Sequence, residues 1–336
     1  MAPSTPTGTR HGGRTDPAGP ANRASNATRA GNATRAGNAI RAGNAIRRRN
    51  LRLGLAFISP WIIGFLAFVA YPLIYSLAVS LLNYTGLQQP TFAGVGNYTR
   101  IAQDPLVVKS TWNTLFYAGL AVPLGLAVAL VLALCMNARV REVGLYRTAL
   151  YLPSLVPVFA LSFIFVVFVN PQYGLFNRIV GWFGLPPENY LGDPTSAKLI
   201  IVLMAQLAAG NAALIFLAGL NNIPDSLYEA ATVDGAGPLR RFFVITLPLL
   251  SPTILFNLVT GISGGLQIFT QAYILTEGGP NNGTLFYLYY LYKNAFSYAQ
   301  LGYASALAVV LFLVGLLLAV LIYTLSRRFV TYEVNG

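Results

Sequence analysis

The sequence predicts an all-α polytopic membrane protein with six transmembrane helices, on three observations. Of its 336 residues, 55% are hydrophobic and only 10% are charged, with a mean hydropathy of +0.58; soluble domains carry roughly 25% charged residues. Residues 55–82, 113–136, 149–169, 199–220, 249–275 and 304–325 are apolar and free of Asp, Glu, Lys, Arg and His. Each is long enough for a hydrocarbon layer that takes about 20 residues of helix. Finally, basic residues are shared unevenly between the joining segments. With the amino terminus inside, the inner segments hold 17 Lys and Arg, 10 of them in residues 1–54. The outer segments hold five: Arg100, Lys109, Arg178, Lys198 and Lys293. That asymmetry persists at 7 to 5 without the tail, and it puts both termini in the cytoplasm.

Residues 1–50 form a tail of different character. An imperfect hexapeptide repeat, NATRAG, NATRAG, NAIRAG, NAIRRR, runs from Asn26 to Arg49. A six-residue period fits neither helix nor strand patterning, and the composition reads as disordered. No apolar run precedes Leu51, so the tail is not a secretory signal. It reads as a solvated segment that reinforces orientation, with anionic lipid as a second use of its arginines. The membrane-spanning part of the chain is then residues 51–333.

The spanning segments follow in order. Helix one carries Pro60 and Pro72, helix two Pro123, and helix three Pro153 and Pro157. Prolines are tolerated there when neighbouring helices or waters satisfy the freed carbonyls, which implies a packed bundle. Ala121, Gly125, Ala129 and Ala133 in helix two recur every four residues, a stripe suited to close helix packing. In helix five, Asn257, Thr260, Gly264, Gln267 and Gln271 are spaced 3, 4, 3, 4 and share one helical face. Uncharged polar groups do not face lipid, so this face meets another helix or an aqueous path. Gln206 and Asn211 in helix four offer similar groups. Residues 284–303, TLFYLYYLYKNAFSYAQLGY, read as an interfacial aromatic belt, with stacking on sugar rings as the other reading.

Several chemistries are excluded. Proton-driven carriers place ionisable groups inside the bilayer, and these spans have none. One cysteine, Cys135, and one histidine, His11, allow neither a disulfide nor a His/Cys metal cluster. The three lysines lie outside any GxxxxGK[ST] phosphate loop, so ATP hydrolysis would fall to another chain. The +12 net charge is accounted for by orientation and does not call for nucleic acid.

The inner segment 221–248 carries the most distinctive pattern. Pro224 and Asp225 suit the start of a helix, Gly235 its end and Pro238 the start of a second one, closing near Pro248. Asp225 and Glu229 share a face, and Leu227, Ala230 and Ala231 form a narrow apolar one. A small acidic knob of this kind is a docking element.

Glu229-Ala230-Ala231, Asp234-Gly235-Ala236, Phe242 or Phe243, Ile245, Leu247-Pro248 and Pro252 resemble the EAA motif of binding-protein-dependent ABC importer permeases. LAGLNNIPDSLY (217–228), LTEGGPNNGT (275–284) and GYASALAVVLFL (302–313) are similar to the carbohydrate branch, with the LT-GGP stretch most like the first permease of a maltose-type pair. The resemblance covers residues 50–333. Asn221-Asn222 stands where a glutamine is common, and Gln206 where an aromatic is often seen.

The resemblance implies a type I ABC importer permease fold in a bacterial or archaeal cell (inner) membrane. It implies a non-catalytic subunit of a sugar or oligosaccharide importer, working with a second permease, a dimer of ATP-binding subunits and an extracytoplasmic solute-binding protein. ATP and Mg would be used by the partner ATPase, with no cofactor or metal bound here. Glu229, Ala230, Ala231, Asp234, Gly235 and Ala236 would couple to that ATPase. The helix-five residues, with Gln206 and Asn211, would contact solute in transit. The alternative from chemistry alone is a stand-alone channel or facilitator for small neutral solutes.

Overall fold

A computed structural model describes residues 50–326 except Arg52, Arg139 and Leu185. The repeat tail and residues 327–336 lie outside the described residues. The chain divides into two units, Met1–Pro72 and Leu73–Gly336. Among the described residues, the regular structure is helical apart from one hairpin of two short strands, as the composition predicts.

The first helix, α1, is Leu53–Ser80. In the first unit its flanks are apolar and exposed at Phe57, Trp61 and Phe68, and the Trp61 and Phe65 rings stack one turn apart at 5.5 Å. Ahead of Pro72 the helix widens into a π turn, Leu66–Ala70. Proline lacks an N–H and crowds the preceding turn, and one inserted residue lets the helix continue past it.

In the second unit, β1 (Leu82–Asn83) and β2 (Thr91–Phe92) pair antiparallel. Asn97, on α2 (Gly96–Gln103), donates to the Ser80 and Leu82 carbonyls at 2.9 and 3.0 Å. Asp104 then caps α3 (Pro105–Met136), accepting from the Leu106 N–H, with Pro105 in the first turn where no N–H is missed. The remaining helices are α4 (Val143–Leu155), α5 (Val158–Phe168), α6 (Leu175–Trp182) and α7 (Pro194–Asn221). After them come α8 (Asp225–Val233), α9 (Pro238–Leu249), α10 (Ser251–Leu266), α11 (Thr270–Leu275), α12 (Tyr287–Tyr292) and α13 (Leu301–Ser326). Among the described residues, α1, α3, α7 and α13 are each long and apolar enough to cross a membrane. Six spans result when the bent pairs α4/α5 and α9/α10 each count as one. This is a multi-pass membrane protein.

Two expected spans differ from single helices. Residues 149–169 bend by 84° between α4 and α5, because Pro157 forces Val156 into extended backbone. Residues 249–275 are interrupted after Leu266, where Gly264 and Gly265 weaken the helix and Gln267 leaves helical geometry at φ −101°, ψ 19°. The five polar positions of helix five therefore do not ride on one continuous helix. Four stand on or at the end of α10, and Gln271 belongs to α11.

Packing forms two cores. The first gathers Phe286, Tyr287, Tyr289 and Tyr290 with Tyr117, Phe165, Ile201 and Leu307. These tyrosines are buried, so the 284–303 stretch is largely core, and only its tail, Phe296 and Tyr298, is exposed like a belt. The second core packs Ala129, Ala133 and Met136 of α3 against Ala213, Phe216 and Leu217 of α7. The small-residue stripe thus does what its spacing predicts. Close approach continues where α3 meets α10: a Cβ on Gly265 would lie 3.1 Å from Ala118, and one on Gly261 3.0 Å from Val122.

The chain's two ends are named by their loops. At the GGP end, residues 275–284 are pinned by Asn113, which donates to the Asn282 and Leu285 carbonyls at 2.8 and 3.1 Å. Thr114 accepts from the Tyr287 N–H at 2.8 Å, and the Tyr287 hydroxyl donates to the Leu307 carbonyl at 3.0 Å. Asp104 gathers the hydroxyls of Tyr290 and Tyr303 at 2.6 and 2.7 Å. The opposite, EAA end carries α8 and α9.

Candidate functional site

At the EAA end the sequence folds as its pattern predicts. Pro224 precedes α8, Asp225 stands in the first turn, and no residue of α8 is buried. The helix stops at a Schellman turn. The Ala236 N–H reaches back to the Ala231 carbonyl at 2.8 Å, the Gly235 N–H to Thr232 at 3.1 Å, and Gly235 adopts φ 74°. Any residue with a Cβ is strained by roughly 1–2 kcal/mol in that left-handed conformation. This explains the D-G-A-G order: the glycine reverses the chain, Ala236 and Gly237 keep the exit small, and Pro238 restarts a helix.

Glu229, Ala230, Asp234 and Gly235 are exposed, and Ala231 and Ala236 are half-buried. Three braces, none evident from the pattern, hold this knob on its base. The Tyr228 and Thr246 hydroxyls bond at 2.9 Å, Arg241 donates to the Thr232 hydroxyl at 2.8 Å, and Ile223 and Leu250 are buried beneath. Tyr228 and Thr246 lie on different helices, and their pairing depends on the turn angle at Gly235.

At mid-depth a cavity of about 310 Å³ opens between α3, α7 and α10, level with Tyr117 to Leu126 of α3. Asn257, Gly264 and Gln271 line it, together with Gly261, Gly265 and small residues of α7 such as Ala205 and Ala208. Asn257 is buried and spends one amide hydrogen on the Thr253 carbonyl at 3.0 Å. Thr260 and Gln267 do not line this cavity. Both are exposed, and the Thr260 hydroxyl turns back to the Phe256 and Asn257 carbonyls. The wall follows a four-residue rhythm, Asn257, Gly261 and Gly265, which a search for small residues alone would have found.

Gln206 and Asn211 stand elsewhere. A 3-10 turn, Gln206–Ala209, interrupts α7 where the 3-10 end of α4 crosses it, and a Cβ on Gly210 would meet the Ser154 hydroxyl at 2.6 Å. Gln206 lines a separate apolar cavity of about 620 Å³ with Pro153, Leu161 and Phe165. Its Oε1 is buried without a partner in this structure. Asn211 accepts from the Tyr151 hydroxyl at 3.1 Å. Among the described residues no group of His, Cys, Asp and Glu has metal-site geometry.

Electrostatics outside the spans centre on Asp104. Burial alone would raise its carboxyl, but hydrogen bonds from Tyr290, Tyr303 and the Leu106 and Val107 N–H groups outweigh it and hold the group below the ordinary value of 3.8. Burial and the bond to Asp104 push the Tyr290 phenol up to about 12.

Comparison with known proteins decides what this arrangement belongs to. The family described as binding-protein-dependent transport system inner membrane component matches residues 121–331. The chain belongs to that family. The match takes in the knob and most of the cavity wall, and it sets aside a stand-alone channel. This permease is 39% identical to the probable ABC transporter permease protein YesP of Bacillus subtilis (strain 168), over 85% of this chain and 94% of that protein. It is 32% identical to the arabinooligosaccharides transport system permease protein AraP of the same organism, over 81% of this chain and 88% of that protein. Among solved structures, the permease resembles a chain of a bacterial alginate ABC transporter in complex with alginate pentasaccharide-bound periplasmic protein. The TM-score is 0.73 with 26% identity, covering 83% of this chain and 96% of that one.

Proposed function

We propose that this permease imports a sugar or oligosaccharide, forming half of the translocation path beside a second permease subunit. A dimer of ATP-binding subunits would bind ATP and Mg and drive the cycle, and an extracytoplasmic solute-binding protein would deliver the solute. The EAA end then faces the cytoplasm of a bacterial or archaeal cell and the GGP end faces outward, in keeping with the 17 to five division of Lys and Arg.

The observation that carries this reading is the knob. An exposed helix with an acidic edge at Asp225 and Glu229, locked by a Schellman turn and braced to a buried base, is rigid enough to transmit force. Glu229 pairs with a cation of the ATPase, Ala230 and Ala231 permit close approach, and Asp234, Gly235 and Ala236 hold the turn. Solute passes Asn257, Gly264 and Gln271 in the cavity; Thr260 and Gln267 face the second permease across the path, and Gln206 and Asn211 sit at the helix crossing. Names of relatives such as the lactose and arabinooligosaccharide permeases support a carbohydrate cargo.

The test is to tag the chain, extract it gently from its own membranes and identify stoichiometric partners. A second permease and an ATPase are expected. Purification as a lone chain under several mild detergents would overturn the reading.

A further inference from the structure

A polar pocket of about 180 Å³ lies at the GGP end, away from the membrane cavity, and nothing above gives it a use. It is walled by the β1–β2 hairpin, α2 and the first turn of α13. Its lining holds Asn83, Gln88, Gln89, Asn97 and Gln300, together with Tyr84, Thr85, Thr91, Tyr303 and Arg100; the Asn97 amide and the Tyr303 hydroxyl are already engaged within the protein. No Asp or Glu lines it.

The pocket is built, not incidental. Asn97 clamps the hairpin through the Ser80 and Leu82 carbonyls, and the Gly302 N–H donates to the Tyr84 carbonyl at 3.0 Å. A Cβ on Gly302 would collide with the Leu82 carbonyl, so the helix and hairpin meet backbone to backbone. Ala299, just before Gln300, takes the left-handed φ of 52°. Arg100 is laid over the Tyr303 ring, 4.2 Å from its centroid, and among the described residues no carboxylate pairs with it. One group is left in want of a partner: Gln300 Oε1 is buried and accepts no hydrogen bond in this structure.

We propose that this pocket is a second, extracytoplasmic binding site for a single sugar ring. Carboxamides and a guanidinium present donors and acceptors in fixed planar pairs, which suit vicinal hydroxyls. A sugar hydroxyl both donates and accepts, so one ring accepts from Arg100 while it exchanges hydrogen bonds with the carboxamides of lining residues such as Asn83 and Gln300. The volume is below the roughly 300–1,000 Å³ of pockets for drug-sized ligands, which limits the occupant to one ring. The inference rests on the sugar-importer reading and adds a selective stop on the outer face, ahead of the path.

The complete transporter, in lipid nanodiscs and without its solute-binding protein, is examined by saturation-transfer NMR. The probes are D-glucose, D-galactose and L-arabinose. At least one should give saturation transfer, and Gln300→Leu and Thr85→Val should each weaken its binding about tenfold, the loss of one well-made hydrogen-bonded contact. Thr324→Val, an exposed position near the far end of α13 and outside both cavities, should leave that signal unchanged. Silence from all three sugars, or equal signals from wild type and both pocket variants, overturns the proposal and indicates ordered water as the only occupant. Sugar-stimulated ATP hydrolysis is then measured in the same nanodiscs after the solute-binding protein is added. If it persists while the pocket is silent, only the second site falls; if it is absent as well, the importer reading falls with it.

Discussion

Asp104 shows how much one side chain organises at the GGP end. It caps α3, and its second oxygen collects two tyrosine hydroxyls from α12 and α13, so three helices meet on one carboxylate. A carboxyl held below its ordinary value of 3.8 adds stability above that value and loses it as pH falls through the depressed one. Asp104→Asn should therefore lower the thermal midpoint by a few degrees at neutral pH, with the gap to wild type closing in acid. Differential scanning fluorimetry across pH 3–7 in detergent tests this; a gap that is constant with pH would contradict it. In the cavity, Asn257→Leu and Gln271→Leu should each reduce solute uptake about tenfold at unchanged expression, as expected for removing polar contacts to a hydroxylated solute. Wild-type uptake in both variants would take these residues out of the path. Sequence singled out Asn257 and Gln271, which line the cavity, because an amide at membrane depth needs a reason. It could not separate them from Thr260, whose hydroxyl is satisfied by its own helix.

At the scale of elements, the helix–turn–helix of residues 225–249 was legible almost in full. Its signals, Pro224, Gly235 and Pro238, act through local backbone geometry that no distant contact overrides. Gly235→Pro cannot reach φ 74° and should leave the protein inserted in the membrane while abolishing solute-stimulated ATP hydrolysis in the assembled transporter. Normal stimulation in that variant would end the coupling role. The breaks in the third and fifth spans were less legible. Pro157 is visible in sequence, but prolines also sit at Pro123 inside an unbroken α3, so a proline alone does not set an 84° bend. The interruption after Leu266 arises where Gly265 closes on Ala118, a contact 147 positions away in the chain. The aromatic run 284–303 misled for the same reason: its tyrosines find buried partners only once the GGP loop is pinned by Asn113 and Thr114.

On the scale of the whole molecule, two cores stack along α3 with the small-residue cavity between them, and each end of the bundle carries a rigid, sequence-specific loop. That arrangement suits a machine in which a push on the EAA end reshapes a mid-membrane passage. The central claim is that transport here is driven by ATP and is not passive. It is tested most directly by solute uptake into proteoliposomes holding this permease with its co-purified partners and binding protein, with and without ATP and Mg on the side facing the EAA knob. The account predicts uptake only when ATP and Mg are supplied, and its loss in Gly235→Pro. Equal uptake without ATP would contradict it.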